Sequence, residues 1–172
     1  MHTAIATIFA AVDAALASPV VPESSGVFQL FAYGDIIESF PLVSVKIDAI
    51  RHVVQIQRPA AFSSDISYLE DGALFFDVHG KSCFLEGPLV TDEEVRKAYT
   101  ICDADGPRAS DKPFSLNDDG YLEVNGSTKG WWACFICQTL ELYRGPEDPE
   151  AAGNSTTFPS DDCKPVQLAK YH

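Results

Sequence analysis

The sequence has few basic residues and no long apolar segment, and each shortage excludes a class of protein. Lys and Arg total 12 against 25 Asp and Glu, so the formal net charge is −13. The basic residues are scattered and form no stripe that could neutralise phosphates, which argues against nucleic acid as a partner. The same charge disfavours an anionic membrane surface. Outside residues 1–17, no segment approaches the roughly 18 apolar residues of a spanning helix, so no membrane span is predicted.

Catalytic and metal-binding motifs are also missing from the sequence. No Ser has a nucleophile-elbow context, and no His-Glu-x-x-His or similar ligand cluster occurs. Asp118-Asp119 and Asp103-Ala-Asp105 are paired carboxylates of the kind that bind calcium, but neither has EF-hand spacing, and an Asp before Gly is explained by a turn. We therefore predict no metal and no cofactor.

The first residues have the composition of a targeting segment. Residues 1–17 contain an apolar run and end in Ala15-Leu16-Ala17, whose small first and third residues fit a signal-peptidase site. We predict that residues 1–17 are a signal peptide and that 18–172 form a single β-rich domain. The alternative is a short amphipathic helix that stays attached. The predicted location is outside the cell, with the lumen of the secretory pathway as the alternative.

Two sequons accompany this leader. They are Asn125-Gly-Ser127 and Asn154-Ser-Thr156, and both lie in predicted loops. Glycan acceptors must be exposed, so we predict N-glycosylation at Asn125 and Asn154, with the longer loop favouring Asn154.

Two Asp-Gly pairs between apolar, alternating segments organise the predicted fold. Asp71-Gly72 and Asp119-Gly120 are strong hairpin signals, because a two-residue turn requires positive φ, which Gly adopts freely and Asp tolerates. Similar sequences follow each pair, at 78–84 and 124–135, and they indicate an internal duplication of a β unit. We expect Gly72 and Gly120 at hairpin tips.

The remaining segments complete an all-β prediction. Strands are expected at residues 27–33, 42–48, 52–57, 73–78, 82–85, 131–137, 139–143 and 165–171. With about ten strands the sequence predicts an antiparallel barrel or sandwich with little helix, because the helical segments of a parallel α/β fold are missing. The one helix expected is 91–98, where Thr91 and Glu94 have capping-box spacing.

The five cysteines in a secreted chain imply two disulfides and one unpaired thiol, with fifteen possible pairings (five choices of free cysteine times three connectivities). Cys134 and Cys137 have the spacing of a metal knuckle, but residues three apart in a strand point to opposite faces, which disfavours zinc. We favour disulfides Cys134–Cys163 and Cys83–Cys102, with Cys137 as a free, buried thiol.

Polar residues within an otherwise apolar strand mark the candidate ligand site. His52, Gln55 and Gln57 interrupt it, and the two glutamines share a face. A barrel lumen would present them as hydrogen-bonding groups among aromatic side chains such as Tyr33 and Trp132, an arrangement suited to a small organic ligand. The alternative is that His52 and the glutamines are ordinary sheet residues.

Trp131 and Trp132 are the most conspicuous aromatic pair. Adjacent strand residues face opposite ways, so one is expected inside and the other can meet solvent. An exposed Trp would suit stacking on a carbohydrate or an apolar ligand, whereas packing beneath a neighbouring loop is the alternative.

Several segments together resemble one family. They are the leader, the Asp-Gly-x-Leu hairpins, the aromatic segment ending in Ala133-Cys134, the strand Leu140-Glu-Leu-Tyr143 and the closing Cys163-Lys-Pro-Val-Gln-Leu168. In this order, across residues 27–168, they resemble the small secreted fungal proteins grouped with the phialide cell-wall protein. The resemblance implies an extracellular or cell-wall location, a β-rich fold and no assigned catalytic residues.

Two functions of different classes follow. The first is a secreted fungal cell-wall-type protein that binds a small apolar ligand or a wall polysaccharide. The second is a cofactor-free enzyme of fungal secondary metabolism, of the cyclase or pericyclase type, whose barrel pocket supplies orientation and hydrogen bonds. A closed apolar pocket with Gln and His would favour the enzyme, and a filled core with an exposed aromatic platform would favour the binding protein.

Overall fold

The computed structural model describes residues 26–35, 37–58, 64–87, 95–102, 105–148 and 158–171. These residues form strands and one 3-10 turn, Ala109–Asp111, and the all-β prediction is confirmed. The strands are β1 (Phe28–Gly34), β2 (Ile37–Lys46), β3 (Arg51–Ile56), β4 (Ile66–Glu70), β5 (Ala73–Val78), β6 (Lys81–Leu85), β7 (Arg96–Lys97), β8 (Tyr99–Ile101), β9 (Phe114–Leu116), β10 (Leu122–Val124), β11 (Trp131–Ile136), β12 (Thr139–Arg144) and β13 (Cys163–Tyr171).

Nine of these strands close into an antiparallel barrel, so the barrel rather than the sandwich is confirmed. Around the ring the order is β1, β4, β5, β6, β8, β3, β12, β11 and β13, which pairs back with β1. The first half of β2 pairs with β1, and its second half, from Leu42, pairs with β3. β7 pairs with β12, and β9 and β10 form a separate hairpin.

Apolar side chains fill the barrel interior. Along β3, Val54 and Ile56 belong to the buried core, whereas Gln55 between them does not. The same alternation along β1 and β5 places one face of the sheet inside. The largest fully buried apolar side chains are Trp131, Phe76, Leu30, Ile37, Leu42, Leu74, Leu85, Leu122, Leu142, Leu168 and Val54.

Two-residue turns join strands where both central residues have positive φ. Asp71-Gly72 has φ of 50° and 77°, and His79-Gly80 has 54° and 78°. These values are those of the hairpin turn that Asp-Gly favours, so Gly72 lies at a hairpin tip as predicted. A Cβ on Gly72 would also approach the carbonyl oxygen of Lys112 to 2.7 Å.

The second Asp-Gly segment is not a structural repeat of the first. Gly120 lies in the longer loop 117–121 between β9 and β10, in which the side-chain oxygen of Asn117 accepts hydrogen bonds from the backbone nitrogens of Asp119 (3.1 Å) and Tyr121 (2.9 Å). The β9–β10 hairpin lies outside the barrel sheet, whereas β4 and β5 are within it. Both segments contain an Asp-Gly turn, but they occupy different places in the fold.

The helix predicted at 91–98 is wrong for its described part. Arg96 and Lys97 are extended and pair with β12, and the backbone nitrogen of Ala98 donates to the carbonyl oxygen of Leu142 at 2.9 Å. The carbonyl oxygen of Ala98 accepts from Val54 at 3.0 Å. These ladder bonds to distant strands override the local capping signal at residues 91–94, which lie outside the described residues.

Both predicted disulfides, Cys83–Cys102 and Cys134–Cys163, are confirmed. Cys134 and Cys163 are directly opposed partners on β11 and β13, which places their Cα atoms 4.0 Å apart. Cys137 is free as predicted, but it is exposed and not buried, because it lies in the turn between β11 and β12.

The remaining predictions concern the leader, the two sequons and the absence of a membrane span. The leader 1–17 and Asn154 lie outside the described residues. Asn125 is exposed in a turn with Gly126, where glycosylation stays a prediction. In the part of the chain that the structure covers, no helix is long and apolar enough to cross a membrane.

Candidate functional site

A cavity of about 680 Å³ opens at one end of the barrel, and we call it the mouth pocket. Its volume lies within the range of about 300–1,000 Å³ that is typical of small-molecule sites. The pocket is lined by residues from β2, β3, β11, β12 and β13 and from the turns beside them, namely Ile37, Phe40, Gln55, Ile56, Gln57, Arg58, Phe135, Gln138, Thr139, Leu140, Asp162 and Lys164.

The pocket forms where two neighbouring strands part. β3 and β12 pair at Gln55 and Glu141. Beyond this position the backbone nitrogen of Gln57 donates to Pro41 on β2 at 3.0 Å, whereas β12 stays paired with β11 through Leu140 and Phe135. The space between the two diverging segments is the pocket.

The inner wall of the mouth pocket is apolar. Ile37 and Ile56 belong to the buried core, and Phe40 and Leu140 pack against it. Phe135 stands at the lip with 51% of its surface exposed. The pocket therefore has an apolar floor and an exposed aromatic edge, the arrangement expected of a surface that accepts an apolar ligand.

Side-chain amides form the opposite wall. The side-chain nitrogen of Gln57 donates a long hydrogen bond of 3.4 Å to the side-chain oxygen of Gln55. Oε1 of Gln57 is buried and accepts no hydrogen bond from any described residue. A buried acceptor without a donor is costly, so this oxygen favours a bound group that carries an O–H or N–H.

The turn at the rim of the pocket has an unusual backbone. Cys137 and Gln138 have φ of 46° and 74°, although neither is Gly, and Gln138 lines the pocket. Non-Gly residues in the left-handed region are strained and are concentrated at functional sites. This turn joins β11 to β12, so its conformation sets the positions of Phe135 and Thr139 on either side of the opening.

The five ligand residues predicted from the sequence do not form one site. Gln55 and Gln57 line the mouth pocket, but they belong to the face of β3 that points away from the core. They therefore lie at the rim of the pocket and not in a lumen. Tyr33 and Trp132 line a separate recess of about 370 Å³. His52 lines neither cavity.

Trp132 is buried and does not form an exposed platform. Its ring packs on Phe158 at a centroid distance of 4.6 Å, and its indole nitrogen donates to the carbonyl oxygen of Pro146 at 3.1 Å. Trp131 lies in the core on the other face of β11. The two rings have opposite orientations, as predicted. The outer ring, that of Trp132, packs beneath a neighbouring segment and is not exposed for stacking.

His52 is buried at the end of β3 farther from the mouth pocket. Burial lowers its pKa, with a further contribution from Lys46, and its Nδ1 has no partner among the described residues. Nearby, the hydroxyls of Ser44 and Thr100 hydrogen bond to each other. Burial raises the pKa of Asp65, partly offset by a 2.6 Å hydrogen bond from the backbone nitrogen of Ser44. The Asp65 oxygen in that bond therefore accepts a hydrogen bond from the backbone.

Phe40 and Phe135 were not singled out from the sequence. Phe135 shares a face of β11 with Trp131 and Ala133, so alternation predicts that it lies on the core side of the strand. Its exposure arises because β11 ends one residue later, at the open end of the barrel. Alternation identifies a face but does not identify which end of the barrel is open.

Among the described residues no group of three or more His, Cys, Asp or Glu side chains could hold a metal ion. Comparison with protein-family models, curated proteins and solved structures found no match for the chain. The functional inference therefore rests on the geometry of the pockets.

Proposed function

We propose that this protein binds a small organic ligand in the mouth pocket. The observation that carries the proposal is one cavity that combines an apolar floor, an exposed Phe135 and the unpartnered buried oxygen of Gln57. Ligand sites typically combine mostly apolar walls with a few well-placed polar groups. The filled barrel core beside an exposed aromatic edge favours a binding protein over a cofactor-free enzyme.

The pocket chemistry describes the ligand. An apolar ring or short chain would lie on Ile56, Phe135 and Leu140, with a hydroxyl or N–H directed at Gln57. Arg58 and Lys164 at the rim suit a carbonyl or other electron-rich group. A sugar unit of a wall polysaccharide would stack on Phe135 alone and leave most of the floor unfilled, so a compact amphipathic molecule is the better fit.

The proposal includes an extracellular or cell-wall location in a fungus. It is supported by the two disulfides, which are compatible with export, by the leader composition and by the family resemblance. N-terminal sequencing of protein recovered from culture medium and from extracted walls tests it. A mature chain beginning at Ser18 is expected, and retention of Met1 in the cell interior would contradict export.

The binding test uses 1-naphthol, an apolar ring with one hydroxyl donor, on the disulfide-bonded protein. We expect saturable binding by calorimetry and a rise in the melting temperature. Phe135→Ser should weaken binding roughly tenfold, because it removes an aromatic contact and its buried area. Tyr171→Ser is the matched control, since Tyr171 is 56% exposed on β13 and does not line the pocket.

Other outcomes separate the alternatives. Equal binding by Phe135→Ser and by the unchanged protein would contradict the mouth pocket as the site. Preference for oligosaccharides of wall glucan over 1-naphthol would support the polysaccharide ligand. Chemical conversion of a bound cyclisable substrate would support the cofactor-free enzyme.

A further inference from the structure

A second recess lies at the opposite ends of β11 and β12 from the mouth pocket. It has a volume of about 280 Å³, and we call it the arginine recess. Its lining comes from β6, β7, β8, β11 and β12 and comprises Leu85, Glu86, Gly87, Arg96, Lys97, Ala98, Tyr99, Trp131 and Arg144.

Arg144 is a buried cation at this recess. Its side chain follows Leu140 and Leu142 on the core side of β12, and only 6% of the residue is exposed. The guanidinium lies 5.1 Å from the ring centroid of Trp131, its register partner, and one terminal N–H donates to the carbonyl oxygen of Lys129. Burial lowers the pKa of Arg144, and Glu147 partly opposes that effect.

The unsatisfied groups at the recess are all donors. Nε of Arg144 and Nε1 of Trp131 are both buried, and neither has a hydrogen-bond partner among the described residues. Such groups are normally satisfied, because a buried donor without an acceptor is destabilising. An acceptor that carries negative charge would satisfy these two donors, one of which is charged.

The charges around the recess are of both signs, since Glu86 also lines it and Glu147 acts on Arg144. Arg96 is the register partner of Arg144 on β7, so a second basic residue lies beside Arg144. Lys97 also lines the recess, but it forms an ion pair with Glu141 at 2.7 Å. The buried donors of Arg144 and Trp131 are therefore the groups that favour an acceptor at the recess.

We propose that the arginine recess binds the carboxylate of a small organic acid. A planar carboxylate matches the fork of a guanidinium, whereas a strongly hydrated inorganic ion gains nothing from apolar walls. Those walls are Leu85, Ala98 and the rings of Tyr99 and Trp131. The volume suits a molecule of about one ring, just below the usual lower limit of about 300 Å³ for drug-sized sites.

Benzoate is the probe, with benzamide as its neutral isostere and inorganic phosphate as the small oxyanion. Each is titrated into the disulfide-bonded Trp132→Phe protein at constant ionic strength, so that the fluorescence of Trp131 reports on the recess. We expect a saturable fluorescence change and a higher melting temperature with benzoate, and neither with benzamide. Equal responses to benzamide and benzoate would overturn the carboxylate assignment, and equal responses to phosphate would indicate an adventitious ion only.

Arg144→Lys places the carboxylate contact under direct test. Lysine keeps the charge but lacks the fork, so benzoate affinity should fall roughly tenfold. Arg108→Lys is the matched control, because Arg108 is exposed and lines neither the arginine recess nor the mouth pocket, and the affinity of this variant for benzoate should not change. Unchanged benzoate affinity in Arg144→Lys would overturn the proposal. If that variant does not fold, the benzoate and benzamide titrations of the unsubstituted recess decide the question.

Discussion

The two ends of β11 and β12 carry opposite hydrogen-bonding chemistry. At the mouth pocket the unsatisfied buried atom is an acceptor, Oε1 of Gln57, whereas at the arginine recess the unsatisfied atoms belong to Arg144 and Trp131 and are donors. Between the ends, the core side of the same strands is apolar, as at Ala133 and Leu142. On the core side of β11 and β12, the polar groups therefore lie at an end of the strands and not between the two ends.

The contrast also separates two kinds of aromatic side chain. Phe135 at the mouth is exposed and can exchange water for a ligand, whereas Trp131 at the recess is covered by a guanidinium. Burial of an exposed ring contributes apolar area directly, about 25 cal/mol per Å². A ring beneath a cation contributes through its electrostatic field and its N–H. The two ends are accordingly expected to select neutral and anionic ligands, respectively.

The largest expected effect comes from the disulfides, which lie differently relative to the mouth. Cys134→Ser with Cys163→Ser, and Cys83→Ser with Cys102→Ser, should each lower the free energy of unfolding by about 2–4 kcal/mol. The bridged residues are separated by 29 and 19 positions, so the loop-closure contributions differ by less than about 0.5 kcal/mol. Urea unfolding of the two double variants measures this.

Ligand binding should distinguish the two bridges although stability does not. Phe135 and Lys164 directly follow the cysteines of the Cys134–Cys163 bridge, so its loss should loosen the mouth pocket and weaken 1-naphthol binding. Loss of Cys83–Cys102 should leave that affinity unchanged, because neither cysteine adjoins the pocket. Equal weakening by both double variants would mean that affinity follows global stability and not the local bridge.

Local signals in the sequence were sufficient for much of the barrel. Asp71-Gly72 predicted a turn because its backbone conformation depends on those two residues, and β5 was predicted with its observed bounds, Ala73–Val78. The pairing of Cys134 with Cys163 could be chosen because these cysteines lie before and after the long predicted loop 145–162, which the bridge closes. These features depend on neighbours in the sequence or on a small set of possible pairings.

The site could not be predicted in the same way, because it depends on where distant strands separate. Gln55 and Gln57 were expected to bind a ligand in a hollow lumen, an expectation that ignored the volume of the side chains from nine strands. The two glutamines line the mouth pocket, and ligand binding by them stays a prediction. Arg144 was not singled out, since a charged residue at a strand end normally faces water. Its burial follows from packing against Trp131 and β7, which no local pattern encodes.

A smaller effect is expected at the amide wall of the mouth. Gln57→Leu removes a buried oxygen without a partner, so the free energy of unfolding should stay equal or rise by about 1 kcal/mol. Binding of 1-naphthol should weaken about three- to tenfold, because the hydroxyl loses its acceptor, whereas binding of naphthalene should not weaken. Gln55→Leu should act in the same direction more weakly, since Gln55 is half-buried and touches the ligand through Gln57.

Calorimetric titrations with both compounds check this prediction at the two ends together. The benzoate affinity of the arginine recess should not change in Gln57→Leu, because the recess is lined by other residues. A parallel loss for 1-naphthol and naphthalene would show that Gln57 shapes the pocket and does not accept a hydrogen bond from the ligand.

The smallest expected effect is the pH dependence contributed by His52, which lines neither end. Burial lowers its pKa in the folded chain from the usual 6.5. As the pH falls through 6.5 the unfolded chain therefore takes up the proton first, and stability decreases until the lowered pKa is reached, below which the loss is complete. His52→Leu should remove this decrease. Urea unfolding at one pH above 6.5 and one below it, in both proteins, measures the difference.

Asp65 is expected to give a pH dependence of stability opposite to that of His52, so it checks whether burial is the cause. Its pKa is raised from 3.8 by burial, so the folded chain holds this proton more tightly, and stability rises as the pH falls through the raised value. Asp65→Asn should abolish that rise, because Asn cannot titrate but can still accept the hydrogen bond from Ser44. Neither 1-naphthol nor benzoate should alter the difference between the His52→Leu variant and the unchanged protein. A ligand-dependent difference would show that His52 is coupled to one of the two ligand sites. It would then contradict the view that His52 is independent of both ends of the barrel.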